Sequence, residues 1–256
     1  MIAKFALWCA LVSIAAVSAV SVSQPGRDAY GQSLLSAFVA YADLRIGSVQ
    51  QTVRVLSCTT EVTSGEWKNM EALLASYQKS DAALVAWFAL PDGTYYTGDK
   101  GLMDVSLSDR AYFPDLMAGR EVTAFLVVSK STGQRSAVIA VPVKQGGKVV
   151  GAIGTSLFLD KFSEQIASAL SLPKDASFFA LAPDGRTTLH KQADRHFLDP
   201  RELGSDSLKT AVNQMLSRTS GEVSYEFDNA AKTAIYRTSP LTQWRFAITL
   251  SAASQK

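Results

Sequence analysis

A chain of 256 residues that is 47% hydrophobic and 19% charged is globular in composition and long enough for two small cores. Its formal charge of +2, with 25 Lys and Arg against 23 Asp and Glu and no extended basic run, excludes the electrostatic footprint of a nucleic-acid binder. Of its two cysteines, Cys9 lies in the leading apolar segment, so Cys58 has no partner for an internal disulfide and the fold must stand on its core.

Residues 1–23 are a different material. Lys4 is their only charge, and Phe5 to Val22 is nearly all apolar or small. The run is long for a signal-peptide core of about 7–15 residues and short for a comfortable span of about 20. A cleavable signal, cut near Val17-Ser18-Ala19, and a membrane anchor both fit, and both carry the rest of the chain across a membrane. Cys9 follows Trp8, without the small residue a lipoprotein site has there. Cys58 is expected to be a small buried residue on a helix.

After Gln24-Pro25-Gly26, the residues Leu35, Phe38, Ala42, Ile46, Val49, Val53 and Leu56 recur at spacings of three and four. That period predicts a long helix over residues 28–62, about 45–50 Å at 1.5 Å per residue. A rod of that length can lie along two stacked modules. Thr63-Ser-Gly-Glu66 has the form of a capping box. It should open a second helix with Trp67, Met70, Leu73, Leu74 and Tyr77 on one side.

The texture then turns to strands. Ala83 to Leu90 and Thr94 to Thr97 read as a hairpin, Arg110 to Met117 as a short helix or turn, and Ala124 to Val128, Ser136 to Val143 and Val149 to Leu157 as three more strands. Residues 63–160 are thus expected to form a first module with a five-stranded antiparallel sheet. Residues 161–174 hold a connecting helix stopped by Pro173. Residues 175–250 form a second module: a hairpin of Ser177 to Ala182 with Thr187 to His190, a helix from Ser207 to Leu216, and strands at Gly221 to Phe227, Lys232 to Thr238 and Trp244 to Leu250. The class is α+β.

One phrase is said twice. Phe88-Ala-Leu-Pro-Asp-Gly-Thr returns as Phe179-Ala-Leu-Ala-Pro-Asp-Gly-Arg, with Asp92-Gly93 and Asp184-Gly185 at the turns. Gly supplies the positive φ such a turn needs. A repeat of about ninety residues is too long for a solenoid and fits two related modules in tandem.

The order of elements, with Ser108-Asp-Arg-Ala-Tyr-Phe113, Val128-Ser-Lys-Ser-Thr-Gly133, Ala140-Val-Pro-Val143, Gly151-Ala-Ile-Gly154, Gly221-Glu-Val-Ser-Tyr225, Ile235-Tyr236 and Trp244, resembles the double Cache (dCache, or PDC) sensor domains of bacterial receptors. The resemblance covers about Asp28 to Leu250. It implies two tandem PAS-like Cache modules behind the long helix, in an extracytoplasmic or periplasmic setting, with a small molecule bound in the membrane-distal module, here the first. It also implies dimerisation along the first helix as one use of its apolar stripe; packing on its own modules is the other. No output module is expected within the chain itself. The signal is then expected to pass to a membrane-bound partner, or the chain is the sensor part of a larger receptor. The alternative is a periplasmic solute-binding or interaction protein without signalling output.

The candidate ligand-binding residues are Arg110, Tyr112, Phe113, Trp87, Ser129, Lys130 and Thr155. A guanidinium can hold a carboxylate by two parallel bonds. The aromatics can wall the site, and Ser129, Lys130 and Thr155 add hydroxyls and a cation. Each has a structural reading beside this one. Arg110 can pair with Asp109 or Asp115, the aromatics can be core, and Lys130 can be a solvated edge charge. Family members that bind amino acids share Arg-x-Trp-Tyr, an upstream Tyr and an Asp on the last strand. Here these positions read Arg110-Ala-Tyr-Phe113, a stretch near Val105, and Gly154-Thr-Ser-Leu157. A buried ammonium without a carboxylate is expensive, so a small organic acid is expected instead. His190 and His196 flank a polar stretch with Asp194, but their spacing is not that of a helical zinc pair. No nucleophile elbow, phosphate loop or dinucleotide signature is present. No enzyme activity, cofactor or metal is expected.

Overall fold

Helix α1 runs from Pro25 to Leu56 in the computed structural model, which describes residues 25–172 and 176–251. The leading segment 1–23 and Pro173 lie outside the described residues. Among those described, no helix is long and apolar enough to cross a membrane.

The predicted stripe on α1 is buried: Leu35, Phe38, Ala42, Ile46, Val49, Val53 and Leu56 all lie in one apolar cluster. The N-terminal half of the helix rests on the second module. The Phe38 ring meets Phe178 edge-on at 5.1 Å and Phe246 at 4.8 Å, and Ser239 Oγ donates to Asp43 at 2.6 Å. The C-terminal half rests on the first. Gln50 Nε2 donates to Glu121 at 2.9 Å and to Thr123 at 3.0 Å, and Arg54 pairs with Glu121.

Two corrections fall at the end of this rod. Cys58 sits in the turn after α1 and is exposed, not buried on a helix. The capping box does not form, because a one-turn helix α2 (Thr60–Thr63) claims Thr63. Thr63 Oγ1 donates back to Thr59 O at 2.9 Å, and the cap of α2 is Thr59, which accepts from Val62 N. Glu66 then stands at the N-cap of α3 (Trp67–Lys79) without a side-chain bond. On α3 the predicted face holds: Met70 and Leu74 are buried, and Trp67 stacks on Tyr96 at 4.8 Å.

The first sheet contains β1 (Leu84–Ala89), β2 (Tyr95–Thr97), β3 (Gly101–Leu102), β4 (Val122–Val128), β5 (Arg135–Gln145) and β6 (Lys148–Phe158). It has six strands rather than five, since the two-residue β3 extends its edge. Helix α4 (Phe113–Met117) packs on it, and α5 (Leu159–Leu170) leads out of it. The second sheet contains β7 (Ala176–Leu181), β8 (Thr187–His190), β9 (Ser220–Phe227), β10 (Ala230–Thr238) and β11 (Arg245–Ser251), with α6 (Asp206–Ser217) over one face. All recorded pairings are antiparallel. The strand orders are β3-β2-β1-β6-β5-β4 and β8-β7-β11-β10-β9. With β3 set aside, both sheets have one topology, in which the first and last strands of each module are neighbours at the centre.

The repeated phrase makes the same turn twice. Gly93 N donates to Leu90 O and Leu90 N to Thr94 O; Gly185 N donates to Ala182 O and Ala182 N to Arg186 O. Each Gly has positive φ, 88° and 98°. Each is a three-residue loop with Pro at its first position and Gly at the left-handed one.

Because α1 completes the cores of both modules, Phe38→Ala is expected to cost about 3–5 kcal/mol, seen as a lower midpoint in denaturant unfolding of the whole chain. Two resolved transitions, with only one shifted, would contradict a shared core.

Candidate functional site

The hairpin turn of the first module has a second task. Leu107 N donates to Gly93 O at 2.8 Å, and a Cβ on Gly93 would stand 2.5 Å from Ser106 Oγ. The turn therefore seats the segment that leads to Arg110. From there Arg110 reaches across to β4, where its Nη2 donates to Val128 O at 2.7 Å.

A cavity lies beside this guanidinium. It is lined by Trp87, Tyr95, Leu107, Arg110, Tyr112, Val127, Ser129, Lys130, Ser131 and Ser156. Its free space is about 10 Å³, room for about one water molecule. Five predicted residues meet here: Arg110, Tyr112, Trp87, Ser129 and Lys130. The Trp87 ring packs directly against Gly154, its partner on β6, which has no side chain to obstruct it: a Cβ there would stand 2.5 Å from Trp87 Cζ2. Tyr112 tilts against Trp87 at 6.5 Å and takes Phe125 edge-on at 5.5 Å. Burial raises the Tyr112 phenol well above its ordinary pKa.

The cations part ways. Lys130 Nζ donates to Ser106 O and to Asp109 Oδ1, both at 2.6 Å, and this bond holds the Asp109 carboxyl below its usual range. Asp115 pairs with Arg120. Arg110 is half-buried, and among the described residues it is in no ion pair, although Asp109 and Asp115 are its sequence neighbours. Lys130 is thus neither a free pocket charge nor a solvated one. It fastens the segment over the cavity.

Two predicted residues fall elsewhere. Phe113 is buried in the apolar cluster below the cavity and does not line it. Thr155 faces the opposite side of the sheet. It pairs with Ala86 and Ile139, which belong to the α1-facing cluster. Side chains alternate along a strand, so the cavity hydroxyl on β6 is Ser156. Tyr95 was missed as well. It is buried, its phenol has no partner, and burial raises its pKa. Its place one strand over from Trp87 was the available signal. On β4, Ala124 sits at φ 56° where the register shifts. That bulge turns Val127 inward to join Val122 on the cavity side.

The histidines are not in a polar loop. His190 ends β8, and its Nδ1 accepts from Gln192 N at 2.9 Å. His196 is buried, with Nε2 3.2 Å from Ser163 Oγ. Among the described residues no three His, Cys, Asp or Glu side chains gather to hold a metal. Burial lowers both imidazoles, His190 to about 4.

No protein-family model matches the chain, and no curated protein does. Solved structures do. The extracellular domain of rpHK1S-Z16, named as a histidine kinase, matches with a TM-score of 0.73 at 16% identity, over 90% of this chain and 96% of its own. The sensor domain of the V. cholerae histidine kinase DctB matches at 0.69 and 13% identity, over 90% and 98%. The chain has the double Cache fold. A further match is the sensory domain of the Campylobacter jejuni chemoreceptor Tlp3 with isoleucine bound, at a TM-score of 0.63 and 13% identity, over 89% of this chain and 93% of that one. These neighbours are sensor and receptor domains, not enzymes.

Two outcomes follow from these placements. Thr155 Oγ1 is buried without a partner, so Thr155→Val is expected to raise stability by about 1 kcal/mol and leave ligand binding unchanged, whereas Ser156→Ala should weaken binding; unfolding curves and titration calorimetry read the two. For the histidines, the folded pKa lies below the unfolded one, so the unfolded chain binds more protons as the medium is acidified. Stability should therefore fall as pH drops from about 6.5 toward about 4, and His190→Gln should flatten that slope in a series of thermal melts.

Proposed function

We propose that this chain is an extracytoplasmic sensor that binds a small carboxylate beside Arg110 in its first module and passes a conformational change to a signalling partner. The observation that carries this reading is the Arg110 guanidinium, half-buried on a cavity and in no ion pair among the described residues, while Lys130 and Arg120 each have an acid. An unpaired half-buried cation facing hydroxyls and aromatic walls is a ready anion site.

The cavity lining contains no Asp or Glu. An amino acid's ammonium would have no counter-charge there, which favours an acid without an amine. An acid of two or more carbons also exceeds the free space of the closed form. Binding then requires the segment around Ser106 to Arg110 to move, and the Lys130–Asp109 bridge and the Leu107–Gly93 bond are what it must stretch or break. Such a site has two states, and a ligand shifts their balance by its differential affinity. By the resemblance the first module lies far from the membrane, and the long helix carries the change back.

The test is a thermal-shift screen of the full chain against acetate, lactate, succinate and malate, with amino acids and sugars as controls. A ligand at about a hundred times its dissociation constant adds about 2.7 kcal/mol. Arg110→Ala should abolish the shift and leave the unliganded melting temperature in place. A shift from cationic or uncharged compounds alone would overturn the reading.

A further inference from the structure

We propose that the second module holds a ligand site of its own, a cavity between its sheet and α6 that takes a carboxylate with an apolar body about the size of a benzene ring. The inference does not depend on Arg110 or on the first module.

This cavity is the roomier of the two, about 170 Å³ against about 10 Å³. A protein cavity of about 150 Å³ is enough to bind benzene. Leu208, Val212 and Met215 of α6 form one wall, with Phe179 of β7 and Phe227 of β9 opposite. A tight core would have filled this space, because protein interiors pack at crystal-like density.

Charge at its edge is of one dominant sign. Arg195 and Lys232 both line the cavity and are half-buried, and both stand over the Phe227 ring, at 5.4 Å and 5.0 Å. Among the described residues neither is in an ion pair, in contrast to the half-buried Arg45, Lys130 and Arg201. The acid on the lining, Asp228, lies exposed on the β9–β10 turn. Two cations that keep no acid, beside an apolar hollow, select an anion with an apolar tail.

The polar groups deeper in the lining agree. Tyr225 Oη and Thr249 Oγ1 satisfy each other at 3.2 Å. His190 is neutral at ordinary pH, and because its Nδ1 accepts from Gln192 N, its proton is on Nε2. The site therefore offers donors to a carboxylate and no buried acid to an amine.

Benzoate, benzyl alcohol and benzylamine carry the same ring with negative, neutral and positive head groups, and calorimetric titration of the full chain with each decides the question. Benzoate is expected to bind saturably, more weakly at high salt, with benzylamine silent. Lys232→Gln should weaken benzoate about tenfold. Ala211→Leu, which fills the hollow, should abolish its binding, and Arg110→Ala should leave it unchanged. Absence of benzoate binding, preference for benzylamine, indifference to Lys232→Gln, or loss of binding in Arg110→Ala would each overturn the proposal.

Discussion

Two sheets divide the apolar face of α1 between them, and the same buried cluster contains Leu84, Phe88 and Ile153 from the first module and Phe178, Phe246 and Ile248 from the second. Each sheet has its other face covered locally, the first by the Arg110 segment and α4, the second by α6. That arrangement fixes where ligand chemistry can occur. The α1 side is packed with large apolar side chains, and the hollows lie on the far side, under elements held by a few polar bonds. Binding surfaces are drawn from the less tightly held parts of a fold by necessity.

The two hollows use one electrostatic device at different scales. In both, a half-buried cation is left without an acid while nearby cations are paired. A surface ion pair contributes only about 0–1 kcal/mol, so a cation without an acid costs the fold little. In the first module the neighbouring Lys130–Asp109 pair doubles as a fastener across the cavity. In the second, Arg195 and Lys232 rest on an aromatic face that partly compensates their desolvation.

Much of this was legible in the chain, for identifiable reasons. The Pro-Asp-Gly turns announce themselves because only a few residues satisfy that backbone, and the repeat of the phrase carries the duplicated topology with it. The α1 stripe was legible from its period. β3 was not, since two residues, Gly101 and Leu102, have no pattern to show. The choice between Thr155 and Ser156 hinged on the parity of one strand, and adjacent hydroxyls carry no signal of which face they take. The inserted turn of α2 shifted the capping away from Thr63 and Glu66, although their spacing was right. The larger hollow was illegible altogether. A void belongs to no residue; it appears only when α6, the sheet and the short helical turns Ala193–Arg195 and Pro200–Glu202 are brought together.

Strand β6 hands over to α5 without a spacer, for Phe158 ends one and Leu159 begins the other. Ser156 near that junction borders the first hollow. Ser163, beyond it, accepts from the backbone N–H of His190 at 3.3 Å and touches His196, and His190 borders the second. The rims of the two hollows are therefore bridged by one unbroken stretch of backbone, Ser156 to Ser163, and a single hydrogen bond from there to His190.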